Sequence, residues 1–164
     1  MADSRLGSRR LKARASELYL AGRMIVWIVA LPLLKRVVPI RRLASFMAAT
    51  RRSPPATHVD DERVCGIARW LARRLLPAGR GVCLEQSLVA YRFLSAQGSS
   101  PELIIGVGRR DGKFIAHAWI ALGGRPIGDS PTALSDLAPI VAFGPRGTVA
   151  HTPGALTTHL EKLL

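Results

Sequence analysis

Apolar positions recur with two different periods along the chain, one in each part. Up to about residue 98 they repeat every three or four residues, which is the period of α-helices. Beyond that point, short apolar runs alternate with glycine-containing turns, as is typical of strands. Helices that precede an antiparallel sheet indicate an α+β fold.

Three helical regions are predicted. Residues 4–50 form a long helical region that is bent or ended near Pro32 and Pro39, because proline lacks the backbone N–H that a helix needs. Residues 60–76 form the second helix, which opens on three acidic side chains that suit its first turn. Residues 83–98 form the third helix, whose two apolar stripes indicate burial on most sides.

Four strands are predicted after the helices. Leu103–Gly108 and Phe114–Leu122 flank an Asp-Gly pair, which is a strong hairpin signal. Arg125–Asp129 follows a Gly-Gly turn, and Ile140–Phe143 adds a further strand. We therefore expect the third helix to pack on an antiparallel sheet.

The basic residues are concentrated in the N-terminal third. Residues 1–52 contain 12 Lys+Arg and 2 Asp+Glu, a net charge of +10, whereas residues 53–164 contain 12 and 9, a net of +3. A Ser-Pro-Pro stretch at 53–55 separates the two. The predicted organisation is a basic helical region over 1–52 and a core domain over 53–164. Because no nucleic-acid-binding motif accompanies the charge, no nucleic-acid partner is expected.

The basic helices have three interpretations: a solvated face, docking to a partner protein or to acidic lipid, and nucleic-acid binding, which is the least favoured because it lacks a motif. The longest apolar run, Met24–Leu34, has 11 residues. This is shorter than the roughly 20 residues that a membrane span requires. Two cysteines do not form a disulfide framework, so a cytoplasmic location is expected, with membrane-surface association through the basic helices kept open.

Cys83, His117 and Asp129 provide the residue types of a cysteine-nucleophile site: a thiol, a base and a group that orients the base. Unpaired N–H groups at the start of a helix favour a thiolate at Cys83, and the Cys83 backbone N–H is a candidate oxyanion donor. Each residue also has an ordinary structural interpretation. A lone cysteine is more often structural, a strand histidine often belongs to the core, and an aspartate often caps a turn.

Strand register predicts what surrounds the histidine. A two-residue Asp-Gly turn would place Gly106 opposite His117 and Gly108 opposite Ile115. Because glycine has no side chain, this face would leave room for a thiol to approach the imidazole.

The second turn determines where the aspartate lies. A two-residue turn at Gly123-Gly124 would put Ala118 opposite Asp129 and point the carboxylate away from His117. A three-residue loop or a bulge would put Asp129 opposite His117. The sequence therefore predicts an odd-length loop or a bulge.

Three segments of the sequence resemble the leader peptidases of lasso-peptide biosynthesis, which belong to the transglutaminase-like superfamily. Gly81-Val82-Cys83-Leu84 with Gln86-Ser87-Leu88 is similar to their nucleophile helix. Phe114–Ile120 resembles their histidine strand, and Pro126–Asp129 resembles the segment with their aspartate. The sequence departs from the pattern at Gly128, where such enzymes often have asparagine.

The resemblance implies a papain/transglutaminase-like fold and a Cys-His-Asp peptidase that removes the leader from a ribosomally made precursor peptide. It implies as partners the precursor, a separate small leader-recognition protein and the cyclase that acts next; no metal or organic cofactor is implied. Glu85, Gln86 and Trp119 are candidate substrate contacts, although a polar helix face and a core tryptophan are the simpler interpretations. An acyltransferase or amidase, and a non-catalytic peptide-binding or membrane-associated helper, remain alternatives.

Overall fold

The computed structural model describes residues 3–48, 59–77 and 82–150. The described residues form an α+β fold, as predicted. The helices are α1 (Asp3–Val37), α2 (Ile40–Ala48), α3 (Asp61–Leu75), α4 (Cys83–Gln97) and the short α5 (Pro131–Leu134). The strands are β1 (Pro101–Arg110), β2 (Lys113–Leu122), β3 (Arg125–Ile127), β4 (Leu137–Phe143) and β5 (Val149–Ala150).

The first helix continues through Pro32 and ends two residues before Pro39. A proline inside a helix removes one hydrogen bond and costs about 3 kcal/mol. Ile28 and Leu31, in the turn that precedes Pro32, are fully buried, so the packing of this part of the helix offsets the loss. Pro39 separates α1 from α2, as the sequence indicated.

Side chains and glycine mark the ends of α3 and α4. The Asp60 carboxylate accepts the backbone N–H of Arg63 at 3.2 Å and caps α3. Gly98 ends α4 with a φ of +92°, and its N–H bonds to the carbonyl groups of Leu94 and Ser95. These ends agree with the predicted ones to within a residue.

The strands form one antiparallel sheet in the order β3-β2-β1-β4-β5. Asp111 and Gly112, with φ values of +51° and +74°, make a two-residue turn between β1 and β2. This turn pairs Gly106 with His117 and Gly108 with Ile115, so the predicted register of the first hairpin is confirmed.

The prediction for the second hairpin was wrong. Gly123 and Gly124 have φ values of +55° and +76°, and Leu122 pairs directly with Arg125 across an unbulged two-residue turn. Two consecutive glycines adopt these angles without a steric penalty, and such turns match the twist of the strands they join. Ile127 ends β3, because Gly128 has a φ of +75°.

Helix α4 packs on β1 and β2, α3 contacts β3, and α1 and α2 pack against these two helices, so that all four helices share a single hydrophobic core with the sheet. Residues from both N-terminal helices belong to this core, together with Leu103, Ile120 and Phe143 from the sheet. Two ion pairs add to the contacts of α1: Glu17 with Arg63 of α3, and Lys35 with Glu85 of α4. The predicted boundary at 52–53 lies outside the described residues.

The stretch Arg14–Val37 of α1 is long and apolar enough to cross a membrane, by length and composition alone. It contains 24 residues, and an 18-residue window within it has a mean hydropathy of 1.6. The sequence prediction considered only the uninterrupted run Met24–Leu34, whereas this stretch continues across Arg23 and Lys35. One side of the helix is buried in the core, however, through residues such as Met24 and Ile28.

Tyr91 ties α4 to the turn between β4 and β5. Its buried hydroxyl donates to the carbonyl oxygen of Gly144 at 2.5 Å and accepts the N–H of Gly147 at 2.8 Å. We predict that Tyr91→Phe lowers the free energy of unfolding by about 1–3 kcal/mol, because it removes two buried hydrogen bonds and leaves the Gly144 carbonyl and the Gly147 N–H with only the bond to each other. Urea unfolding followed by circular dichroism measures the change.

Tyr19→Phe is the matched control, since the Tyr19 side chain is exposed. Its effect should stay within about 0.5 kcal/mol. Equal effects of the two substitutions would contradict the structural role assigned to the Tyr91 hydroxyl.

Candidate active site

The candidate site lies at the edge of β2, where β3 stops. Cys83 is the first residue of α4, and its sulfur accepts hydrogen bonds from the backbone N–H groups of Leu84 and Ala118. It is also hydrogen-bonded to the side chain of His117. The predicted meeting of the thiol and the imidazole is therefore present in the structure.

The early end of β3 leaves the peptide groups of Ala118 available. The pairing of Leu122 with Arg125 and of Ile120 with Ile127 directs the N–H and C=O of Ala118 toward β3, but that strand ends before reaching them. The N–H of Ala118 instead bonds the Cys83 sulfur. Its carbonyl oxygen accepts the hydroxyl of Ser87 at 2.8 Å, in a buried position. The side chains of Cys83 and Ser87 on α4 thus make the hydrogen bonds to Ala118 that a longer β3 would have made.

Asp129 reaches His117 by a route that the strand pattern did not predict. The Nε2 atom of His117 lies 3.5 Å from Oδ2 of Asp129. Alternation of side chains along β3 would turn this carboxylate away, but the positive φ of Gly128 breaks the alternation one residue earlier. Cys83, His117 and Asp129 are consequently brought together even though the hairpin has two residues in its turn.

Arg69 of α3 holds the aspartate in this position. Its guanidinium donates to the carbonyl oxygen of Gly128 and to Oδ1 of Asp129, the latter at 3.0 Å. The other carboxylate oxygen faces His117. Both bonds come from the same nitrogen, Nη2, so one charged donor holds the Gly128 carbonyl and the Asp129 carboxylate together.

Close packing against α3 explains the glycine at position 128. A Cβ atom there would lie 2.9 Å from the Cβ of Cys65. The left-handed conformation is accessible to both glycine and asparagine, but in this protein the space for a side chain is already occupied by Cys65.

The environment shifts the pKa of the thiol and the pKa of the imidazole in opposite directions. Burial raises the pKa of Cys83, but the hydrogen bonds from His117 and from the Ala118 N–H lower it by more, so that the net pKa falls below its ordinary value. The hydrogen bond to Asp129, followed by the one to Cys83, raises the pKa of His117 to about 9. The arrangement favours a thiolate beside an imidazolium.

Cys65 has the opposite character. Burial, followed by the charge of Asp61, raises the pKa of its thiol to about 12. A thiol of this kind stays protonated and unreactive near neutral pH.

The predicted space above the histidine is filled. A Cβ atom on Gly106 would lie 2.8 Å from the ring of Trp119, and one on Gly108 would lie 1.7 Å from the carbonyl oxygen of Asp136. The glycines therefore accommodate an indole and a main chain, and the thiol approaches at the strand edge instead. The prediction that they leave room for the thiol was wrong.

The predicted substrate contacts lie in different surroundings. Trp119 is buried and its ring stacks beside that of His117, with centroids 6.3 Å apart, so that it supports the imidazole. Glu85 is 3% exposed and pairs with Lys35, and the helical rotation of about 100° per residue places it on the side of α4 away from Cys83. The structure does not bring Glu85 to the site, so the predicted substrate contact is withdrawn.

Gln86 is half-buried and lines a small cavity with Arg69, Ser87 and Asp129. It remains a predicted substrate contact. A larger open cleft of about 520 Å³ lies on the other side of Asp129. The cleft is lined by Glu62, Gly124, Arg125, Pro126, Gly128, Asp129, Ser130 and Pro131.

Sequence reasoning missed Arg69 and Ser87 as site residues. Ser87 had a detectable signal, since it lies four residues after Cys83 and therefore on the same side of the helix. Arg69 had none, because it belongs to a face of α3 that carries several arginines and only the tertiary structure distinguishes it.

Comparison with known protein families matches residues 25–142 to a domain of the transglutaminase-like superfamily. The matched region covers most of the chain, so the protein belongs to this superfamily. No curated protein and no solved structure matches the chain. The α+β fold agrees with this assignment, and such a scaffold is of the cysteine-protease or acyltransferase type.

If Arg69 orients Asp129, removing the Arg69 side chain should change the pKa of His117. We predict that Arg69→Ala lowers the pKa of His117 from about 9 toward its ordinary value, because the released carboxylate no longer holds the ring. NMR titration of the histidine ring carbons measures this pKa. Arg73→Ala, which removes the same charge from an exposed position of the same helix, is the control and should leave the pKa unchanged.

A double-mutant cycle makes the test specific. In an Asp129→Asn background, Arg69→Ala should have no further effect on the pKa of His117, since the two residues act through one contact. An additive effect, or an unchanged pKa in the single variant, would show that Arg69 does not act through the aspartate.

Proposed function

We propose that this protein is a cysteine peptidase in which Cys83 is the nucleophile, His117 the general acid and base, and Asp129 the residue that orients His117. The observation that carries the proposal is the continuous chain of contacts from the Cys83 thiol through the imidazole to the Asp129 carboxylate. A nucleophile, its base and an orienting group within contact distance form the arrangement that covalent acyl transfer needs.

The reaction begins with a proton already transferred from sulfur to imidazole. The Cys83 thiolate attacks the scissile carbonyl carbon, and a C–S bond forms as the carbonyl oxygen becomes an oxyanion. Collapse of this intermediate breaks the C–N bond, and His117 gives its proton to the departing amine. The product of this step is a thioester on Cys83. His117, now neutral, accepts a proton from water, whose oxygen attacks the thioester and releases the acid.

The start of α4 supplies donors for the oxyanion. The backbone N–H groups of the first turn of a helix have no carbonyl partner within the helix, and the N-cap residue Val82 has no polar side chain to satisfy them. The Cys83 N–H is next to the reacting sulfur, which makes it the first candidate donor.

The substrate that we propose is a ribosomally made precursor peptide, from which the enzyme removes the leader during lasso-peptide maturation in the cytoplasm. The support is the resemblance of residues 81–88, 114–120 and 126–129 to leader peptidases of that pathway; residue 81 lies outside the described residues. A separate small leader-recognition protein would present the precursor, and the cyclase would act on the freed N-terminus. The cleft beside Asp129 offers a place for an extended peptide near the site.

Replacing the two cysteines separately tests the nucleophile. We predict that Cys83→Ala lowers kcat/KM for precursor cleavage by roughly 10⁴-fold or more, because the covalent path is lost. Cys65→Ala is the matched control, since its buried thiol has a raised pKa, and it should retain most of the activity. Unchanged processing by Cys83→Ala would rule out this nucleophile and leave a non-catalytic helper role.

The assay uses the purified chain, its precursor peptide and the leader-recognition protein, with products weighed by mass spectrometry. Hydrolysis gives a leader fragment with a free carboxylate. A fragment joined to an added amine would instead indicate an acyltransferase, which passes the same thioester to nitrogen.

The pKa shifts predict a bell-shaped dependence of kcat/KM on pH. The active ion pair needs an ionised Cys83 and a protonated His117, so activity should rise through the lowered pKa of the thiol and fall as pH passes about 9. Asp129→Asn removes the hydrogen bond that raises the pKa of His117, and should move the alkaline limb to lower pH. Activity that continues to rise above pH 9, or an alkaline limb that Asp129→Asn does not move, would contradict the assignment.

A further inference from the structure

Helix α1 has a second apolar face that does not contact the rest of the described protein. Its inner face, with Leu20, Met24 and Ile28, is buried in the core. Its outer face carries an apolar stripe whose members are 39–78% exposed: Leu18, Ile25, Val26, Val29, Leu33 and Val37. The stripe is about 28 Å long. Exposed apolar surface of this extent indicates an interaction site.

The charged side chains at positions 17, 23 and 35 of α1 turn away from the stripe. Glu17 pairs with Arg63 of α3, and Lys35 pairs with Glu85 of α4. Arg23 lies over the ring of the core residue Phe93. The stripe therefore runs without a charge from Leu18 to Leu33.

The charges at the two ends of the stripe are positive. Arg14 and Arg36 are exposed, and no acidic residue other than Glu17 occurs between positions 14 and 48, where six basic residues lie. An apolar strip with basic ends complements a surface that is apolar inside and anionic outside, which is the surface of an acidic lipid bilayer.

From this arrangement we infer that the outer face of α1 docks the protein on an anionic lipid surface, with the helix lying in the plane of the membrane. The length and hydropathy of Arg14–Val37 also fit a transmembrane span. Crossing the bilayer would, however, strip the inner face from the core and break the pairs that Glu17 and Lys35 make with α3 and α4. In-plane binding uses the exposed face and keeps these contacts. This inference is independent of the proposed peptidase activity.

Vesicle flotation with the full chain tests the inference. We expect the protein to float with vesicles of phosphatidylcholine and phosphatidylglycerol, and to bind vesicles of phosphatidylcholine alone much more weakly. Val26→Asp with Val29→Asp should reduce the partition coefficient roughly 30-fold or more, because two exposed apolar contacts become charged. Arg14→Gln and Arg36→Gln should each reduce binding to the anionic vesicles about fivefold.

Phe114→Asp is the matched control. Phe114 is 71% exposed on β2, far along the chain from α1, and its replacement should leave flotation unchanged. The circular dichroism spectrum reports whether each variant is folded, and precursor cleavage is measured separately as the readout of the proposed activity. These readouts separate a failure of the lipid inference from a failure of the proposed function.

Three results would overturn the inference. The first is no flotation of the unmodified protein with anionic vesicles, and the second is flotation of the Val26→Asp, Val29→Asp variant at the level of the unmodified protein. The third is a dimer in sedimentation velocity without lipid that these two substitutions dissociate, since the stripe would then serve a second copy of the chain.

Discussion

The candidate site depends on the point at which β3 ends. Had the strand continued for two more residues, its backbone would have paired with Ala118, and the sulfur of Cys83 would have lost a hydrogen-bond donor. The left-handed Gly128 stops the strand before this happens and turns Asp129 toward His117 in the same step. The conformation of Gly128 therefore has two effects. It leaves the Ala118 N–H free to bond the sulfur, and it places the Asp129 carboxylate beside the imidazole.

Helices α3 and α4 hold the edge of β2 and the end of β3 in place. Arg69 of α3 grips Gly128 and Asp129, while Ser87 of α4 holds the carbonyl of Ala118. Glu85, two residues after the nucleophile, is buried and is anchored to the more exposed Lys35 of α1 by an ion pair. The N-terminal helices therefore help to position the start of α4, and the match to the transglutaminase-like superfamily begins within α1 rather than after it.

Local signals in the sequence predicted the helical regions of α1 to α4, the strands β1 to β4 and one of the two hairpins, but not the short α5 and β5. The Asp-Gly turn and the alternation along β1 and β2 were sufficient for the register around His117, because a two-residue turn leaves no freedom in the pairing. The path to Asp129 could not be predicted this way. It depends on the conformation of Gly128, which close contact with Cys65 and a bond from Arg69 impose, and these partners are more than 50 residues away in the chain. The burial of Glu85 and the filling of Gly106 by Trp119 likewise follow from tertiary packing that periodicity does not encode.

The activity that we propose requires His117 to hold the sulfur of Cys83 as a thiolate. The most direct measurement is the rate of iodoacetamide alkylation at Cys83 as a function of pH, followed by mass spectrometry in the unmodified protein and in His117→Ala. A thiolate held by His117 predicts an inflection below the ordinary thiol pKa of about 8.5, and this inflection should return to that range or above when the imidazole is removed. An inflection at or above the ordinary value in the unmodified protein, or the same inflection in both proteins, would contradict this role of His117.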